Sequence, residues 1–359
     1  MTQRALVTMF NVAPWGGLQE NVWQSCRGMA RRGWEITVAC SQGPLVDRLT
    51  EDHIGVHVIG DWKDWSGDAE DLGSRPWDLV HSHPFASREL ALHVAAAQNA
   101  PLVSTFHGYN RDYSYRWHTK ARSLIAVSRS HADMLVHDSG VPAHKVFVVP
   151  NSVPDDVFAV PQRTWHERTR SGTARVLVAS RLDPDKHALL EAVDQLTDEI
   201  AADHRGLRWV LQLAGSGSSA DEIRRFARVQ ARKSRRISFE ALGWVESREI
   251  PQLLADATVS IASGRAAQQS LAVGTPTIAF GSRGIYGLQH GPNLQVGLWG
   301  NFGGYPLDGV AITSIRTDLA PILDDEQYYN EVASNGRTVA SSLLRQSAAD
   351  ETLAGIYQL

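Results

Sequence analysis

Residues 4–40 restrict the fold more than any other stretch of the chain. Residues 4–10 (RALVTMF) are an apolar run of strand length, 11–17 a loop, 18–32 an amphipathic helix closed by Gly33, and 34–40 a second apolar strand. A strand, a helix and a strand joined by so little chain form a βαβ unit, and the crossing helix forces the two strands to run parallel. Parallel sheets carry helices on both faces, so a chain that starts this way is committed to an α/β architecture. Further strand-like runs at 56–59, 79–83, 102–106, 124–127 and 146–149, with helical segments between several of them, complete a doubly wound domain.

The alternation then repeats. Runs at 176–179, 209–213, 237–240, 258–262 and 277–280 read as strands, again separated by helical segments. A chain of 359 residues is long for one core and suits two domains. Between the two series lies SVPDDVFAVPQRTWHERTRSGTA, which mixes prolines and charges with little periodicity and reads as an interdomain linker. The expected organisation is two Rossmann-like doubly wound domains facing a cleft, over residues 1–158 and 159–335. A C-terminal helix follows at 336–359, and whether it packs back on the first domain is left open.

Residues 176–191, VLVASRLDPDKHALLE, place chemistry on this frame. A strand ends in Ser180, and Arg181 and Lys186 follow it before a helix begins. The carboxyl edge of an open α/β sheet is where ligands bind, and an Arg fork and a Lys point charge can converge there on one anion, a phosphate or diphosphate. The bland alternative is a surface salt bridge to Asp183 or Asp185. Asp183-Pro184-Asp185 also spells a D-x-D metal string, but carboxylates flanked by two cations would compete with a phosphate, so the string reads as turn composition.

A net charge of −4 with 21% charged residues lacks the cationic excess of non-specific nucleic-acid binders, so no nucleic-acid partner is expected. Cys26 and Cys40 form no disulfide framework, which suits a reducing cytoplasm. No apolar run approaches the roughly 20 residues of a membrane span, so membrane contact is at most peripheral. Residues 111–122 (RDYSYRWHTKAR) mix aromatics with cations and could serve an anionic acceptor or a membrane surface, whereas the cations of 224–236 read as a solvated helix face.

In order along the chain stand MFNVAPWGGLQENV, DLVHSH, VSTFHGY, VSRSHADML and VFVVPNSV, then ASRLDPDK, LQLAGSGSS and SLAVGTPTIAF. This series resembles the GT-B fold retaining glycosyltransferases of family 4, over nearly the whole chain. The resemblance implies a metal-independent transferase that moves a sugar from a nucleoside-diphosphate sugar to an acceptor. The acceptor would be a small molecule, a glycan or a lipid-linked sugar, and no cofactor beyond the donor would be needed.

The resemblance also implies roles for particular residues. Gly16 and Gly17 would open the first helix so that its N–H groups approach an anion or a sugar hydroxyl. His107 would face the donor sugar, while Arg181 and Lys186 would neutralise the leaving diphosphate. Gly215, Gly217 and Gly243 would lie beside the nucleotide. Apart from the resemblance, Arg265 stands just before a helix, where it either adds a third cation to the diphosphate or points to solvent. The chain departs from the family where two glutamates usually stand before the A-M-A-x-G segment. Gln269 takes the place of the second, and the first is absent because the loop is shortened. An amide there can still hydrogen-bond a ribose hydroxyl, without the charge. Asn151-Ser152 stands where the family usually has Asn-Gly.

Two other function classes stay open. A GT-B scaffold without its acidic pair could bind a nucleotide or sugar and not turn it over. A dehydrogenase could use Gly215-Ser-Gly217-Ser-Ser-Ala220 as a dinucleotide fingerprint, although that string follows the second strand of its series and not the first. A zinc site from His81, His83 and His107 fits no structural spacing.

Overall fold

The computed structural model describes residues 2–10, 15–83, 85–202, 205–303, 305, 307–311 and 313–359. The chain forms two compact units, Met1–Asn151 with Gln346–Leu359, and Ser152–Arg345.

The first unit contains β1 (Arg4–Met9), β2 (Glu35–Cys40), β3 (Gly55–Val58), β4 (Leu79–Ser82), β5 (Leu102–Phe106), β6 (Ser123–Ala126) and β7 (Val146–Val148). They make one sheet in the order β3-β2-β1-β4-β5-β6-β7, with every pair parallel. Alternation along β1 sends Ala5, Val7 and Met9 to one core with Val22, Cys26 and Met29 of the helix Gly17–Arg31. Leu6 goes to the opposite core with Leu90, Ala91 and Val94 of the helix Ala86–Gln98. The chain winds outward from β1 through β2 and β3, then returns to β4 on the other side, which opens a crevice at the carboxyl ends of β1 and β4.

The helix Gln346–Gln358 belongs to this unit and sends Leu353, Ile356 and Tyr357 into the same core as Met29. Its docking explains Gly28. A Cβ there would collide with the carboxyl of Asp350, which is 2% exposed and pairs with Arg31 at 3.5 Å and Arg32 at 3.6 Å.

The second unit holds β8 (Thr173–Ala179), β9 (Arg208–Ala214), β10 (Ile237–Gly243), β11 (Val259–Ala262), β12 (Thr277–Gly281) and β13 (Gly284–Leu288), in the order β10-β9-β8-β11-β12-β13. All pairs are parallel except β12 with β13, an antiparallel edge that the sequence did not announce. One face of β8, with Val176 and Val178, packs on Leu189, Val193 and Leu196 of the helix Ala188–Ala202. The other face, with Leu177 and Ala179, packs on Leu271 of the helix Arg265–Ala272 and Ala340 of the helix Glu326–Leu343.

Two expectations need correcting. The aperiodic stretch after Asn151 is part of the second unit and not a linker: Val153 N–H donates to the Leu344 carbonyl at 2.7 Å, Arg337 donates to the carbonyls of Phe158 and Val160, and Trp165 meets Tyr329 edge-on at 5.1 Å. Those long-range contacts hold it where local periodicity does not. The helix expected at 336–359 is two helices, Glu326–Leu343 in the second unit and Gln346–Gln358 in the first, broken where Leu344 accepts from Val153. Among the described residues no helix is long and apolar enough to cross a membrane.

Candidate functional site

In the first unit β4 and β5 are neighbours, and the residue after each is a histidine, His83 and His107. His83 is fixed through its backbone, its N–H donating to the Thr8 carbonyl at 2.9 Å and its carbonyl accepting from Ser87 Oγ at 2.7 Å. Its Nδ1 lies 2.6 Å from His107 Nε2, and the two rings stack at 4.9 Å. His81, on the same face of β4, stacks on His83 at 4.7 Å, and each of its nitrogens is engaged, Nδ1 with Tyr357 Oη and Nε2 with Thr105 Oγ1, both at 2.7 Å. That leaves His81 no nitrogen for a metal, which removes the zinc arrangement.

Burial pushes the His81 imidazole down to about 3, and it holds His83 well below the ordinary value, helped by the neighbouring His81 and His107. His83 is therefore a neutral ring whose bond to His107 shares a single proton. That bond fixes the ring of half-buried His107, so His83 orients it.

The loop behind His107 is pinned by an enclosed ion pair. Asp112 accepts from Arg88 Nε at 2.7 Å and Nη2 at 3.1 Å, and also from the Phe85 N–H at 3.1 Å. Asp112 and Tyr113 take left-handed backbone at φ 44° and 52°, as does Phe85 at 71°. The aromatic and basic stretch divides: Trp117 is buried, Tyr113 and Tyr115 are exposed with Arg116 over both rings, and Arg122 donates to the Ile356 and Tyr357 carbonyls. Gly16 is the N-cap of the helix Gly17–Arg31 in extended backbone, so its place at the helix end, and not strain, distinguishes it. Residues 11–14 of the first loop lie outside the described residues.

In the second unit the carboxyl ends of β8, β9 and β10 are tied together. Leu182 N–H donates to the Ser216 carbonyl at 2.9 Å, and Gly215 N–H to the Gly243 carbonyl at 2.7 Å. Asp183 bridges the loops. Its Oδ1 accepts from Ser218 N–H at 2.9 Å and Ser218 Oγ at 3.1 Å, and its Oδ2 from Arg181 at 2.5 Å. The Ser218 N–H bond, more than the Arg181 charge, holds its carboxyl below the usual range. Asp183 is thus a strut and not mere turn composition.

Asp185 has another position. Its Oδ2 stands 3.4 Å from Arg181 Nη2 and 3.5 Å from Lys186 Nζ, so the two cations meet on one oxygen. The salt bridges named as the bland alternative exist, and their geometry shows that Arg181 and Lys186 can share one anion. Burial pulls the Lys186 ammonium down from its ordinary value while Asp185 opposes it.

The candidate glycines separate into two kinds. A Cβ on Gly215 would collide with the Ser180 carbonyl and one on Gly217 with the Leu182 backbone, so both are required by the chain's own packing. Gly243, at φ 70°, has nothing within 4 Å of its Cβ position. Arg265 begins the helix Arg265–Ala272 on the far side of β8, and Gln269 lies on that helix at 9% exposure. Its neighbour Gln268 is the one whose amide reaches out, to Asn301 Oδ1 at 3.1 Å. Where the loop before this helix is short, Phe302 supplies a carbonyl to Gly264 N–H at 3.2 Å, with Asn301 and Phe302 both left-handed. Sequence reasoning missed the His83–His107 bond, the Asp112 pin and the 301–302 segment, because each depends on which strand ends are neighbours.

Residues 15–157 match the model of glycosyltransferase family 4. No curated protein matches the chain in sequence. Among solved structures, a glycosyltransferase from Rickettsia africae ESF-5 superposes with a TM-score of 0.75 at 15% identity, covering 99% of this chain and 98% of that one. Anabaena Alr3699/HepE in complex with UDP and glucose gives 0.71 at 16% identity over 99% of both chains. A UDP-GlcNAc 2-epimerase from Neisseria meningitidis bound to UDP-GlcNAc gives 0.58 at 13% identity, also over 99% of both. These likenesses establish the fold, which serves both sugar transfer and epimerisation.

Proposed function

With residues 15–157 falling in glycosyltransferase family 4 and the chain folded as the GT-B enzymes are, we propose that the protein is a retaining glycosyltransferase that uses a nucleoside-diphosphate sugar and needs no other cofactor. The observation that carries this is the convergence of Arg181 and Lys186 on one oxygen at the carboxyl edge of β8. As the bond from C1 to the diphosphate breaks, its electron pair stays on the phosphate oxygen, and the two cations stabilise that charge where other phosphate chemistry uses a divalent metal. The acceptor hydroxyl attacks C1 from the face the diphosphate leaves, and its proton passes to the departing phosphate oxygen. His107, oriented by His83, hydrogen-bonds a hydroxyl of the transferred sugar.

The acceptor is a small molecule, a glycan or a lipid-linked sugar, and nothing in the cation pair selects among them. Gly16 and Gly17 offer a helix N-terminus to a hydroxyl or anion, and Gln269 takes the ribose in place of a glutamate. Arg265 adds charge beside the diphosphate. The free, buried thiols of Cys26 and Cys40 support a reducing, cytoplasmic setting. Against the dehydrogenase, the glycines of its fingerprint are filled by the chain's own backbone.

The test offers a panel of sugar nucleotides with water or cell extract as acceptor and measures free nucleoside diphosphate, with and without EDTA. Release by the wild type that persists in EDTA and drops by orders of magnitude in Arg181→Ala supports the transferase. Tight binding without release points to a nucleotide sensor, and conversion of the donor sugar with no acceptor points to epimerase chemistry.

A further inference from the structure

Four large rings of the first unit, Phe85, Tyr109, Tyr113 and Tyr115, are 41% to 63% exposed. Three of them lie on one loop. Tyr113 and Tyr115 stand 6.4 Å apart, with the Arg116 guanidinium 5.6 and 5.4 Å from their ring centres, and Phe85 joins them because its N–H donates to the carboxylate of Asp112, next to Tyr113. The loop is built firmly from beneath. Asp112 is buried against Arg88, and Trp117 donates from Nε1 to the Asp112 carbonyl at 2.8 Å while its ring stacks on Phe106 at 6.0 Å. That frame holds Phe85, Asp112 and Tyr113 in left-handed backbone, a costly state for residues other than glycine. What the strained frame presents to solvent is aromatic rings.

The charges around the rings indicate what covers them. From Gly108 to Lys120 every exposed charged side chain is a cation, Arg111, Arg116 and Lys120, and the one carboxylate, Asp112, is enclosed in its ion pair. Two carboxylates border the patch, Asp138 at 3.9 Å from Arg111 and exposed Glu89 at 3.7 Å from Arg88. Rings interleaved with cations suit the boundary between water and an anionic bilayer, where aromatic side chains settle at headgroup level and Lys and Arg meet the lipid phosphates. A protein partner would need a larger face. At about 200 Å² a ring, the four expose about 400 Å², half of the roughly 800 Å² that a stable interface takes from each side.

We infer that Phe85, Tyr109, Tyr113, Tyr115 and Arg116 seat the first unit on an anionic lipid surface. The patch begins two residues after His107, so a surface held there delivers its own headgroups beside that histidine. Resting on the transferase reading, the acceptor is then a lipid-linked sugar, not a free small molecule.

The experiment floats the full chain with vesicles of phosphatidylglycerol and phosphatidylcholine, or of phosphatidylcholine alone, at low and high salt. It compares wild type with Arg116→Gln, with Tyr113→Asn/Tyr115→Ser, and with Arg228→Gln as a cation of the second unit. Asparagine is chosen at 113 because it tolerates left-handed backbone, and thermal melts check that each variant folds. Wild type is expected to bind the anionic vesicles and to lose binding at high salt. Arg116→Gln should raise the lipid concentration for half-binding about 5-fold and the tyrosine pair about 10-fold or more, with Arg228→Gln unchanged. A wild type that ignores anionic vesicles, binds neutral ones equally, or is weakened as much by Arg228→Gln overturns the surface. Self-association that the tyrosine variant relieves, without vesicle binding, gives the patch to a second copy and also overturns it. Nucleoside diphosphate released with an aqueous extract and not with a lipid extract overturns the lipid-linked acceptor. Vesicle binding that the variants abolish, with no release from any sugar nucleotide, keeps the surface and overturns the transferase reading.

Discussion

Replacing Asp185 with asparagine is expected to tighten nucleoside diphosphate binding, although the substitution removes two ion pairs. One carboxylate oxygen of Asp185 lies 3.4 Å from Arg181 and 3.5 Å from Lys186, in the position assigned to a phosphate oxygen. An incoming diphosphate must push that carboxylate aside or sit next to it. Asp185 and Arg181 are 45% and 47% exposed, so each of the two attractions is worth about 0.2–1 kcal/mol, the Lys186 pair towards the upper end because Lys186 is the more enclosed. Asparagine keeps the volume and removes the competitor, a gain for the ligand of about 0.5–1.5 kcal/mol, or roughly 2- to 12-fold in Kd.

Calorimetric titration with UDP at low and high salt measures this, and the gain should shrink as salt screens the exposed charges. Asp183→Asn is the control with the opposite sign, because Asp183 holds the Ser218 loop and its loss should weaken binding. An Asp185→Asn variant that binds UDP no better at low salt refutes the reasoning. A variant that binds worse, together with a wild type that loses binding in EDTA, would return the D-x-D string to a metal-holding role.

His81, His83 and His131 are each kept neutral by burial, at about 3 for His81 and about 4 for His131 against an ordinary 6.5. Folded values below the unfolded one mean that the unfolded chain takes up protons the native state refuses, so stability falls as pH drops below about 6.5, by up to about 1.4 kcal/mol per pH unit per histidine. Thermal melts from neutral pH towards pH 5 should show a steep loss that His131→Asn makes shallower, and a flat profile would contradict the burial argument. Gly28→Ala should destabilise by about 1–3 kcal/mol, the reverse of the usual gain for Gly→Ala in a helix, because the new Cβ meets the Asp350 carboxyl. Denaturant unfolding checks it, and adding Asp350→Ala should recover part of the loss.

The strands were legible because burial on both faces leaves continuous apolar runs, and β5 falls on the same residues in sequence and structure. β13 was hidden by its glycines, Gly284 and Gly287, and by its antiparallel edge position. The stretch after Asn151 was misread because its anchors lie far along the chain: Arg337 donates to the carbonyls of Phe158 and Val160, and Arg168, within the stretch, donates to the Gly274 carbonyl at 2.9 Å. The helix break at Leu344 was equally invisible, since what ends the helix is a bond to Val153. His83 and His107 could each be placed at a strand end. That they share a proton follows only from β4 and β5 being adjacent.

The glycine string of the second unit shows how a motif can answer a demand of the fold that the string does not name. LQLAGSGSS predicts a loop at the carboxyl end of β9, and the loop is there. The loop lies against the Ser180 carbonyl and the Leu182 backbone, and that packing alone requires glycine at 215 and 217. That close approach lets Ser218 reach Asp183, and Asp183 sets the direction of the Arg181 fork. On the proposed function the glycines serve the anion site at one remove, by fixing the loop that carries Arg181 and Lys186. A dinucleotide fingerprint needs the same residue type for a different reason, an open approach for a pyrophosphate over the glycine itself. The string alone cannot separate the two, whereas the atoms facing each missing Cβ do: here they are protein backbone, and the charge that would hold a phosphate stands on Arg181 and Lys186.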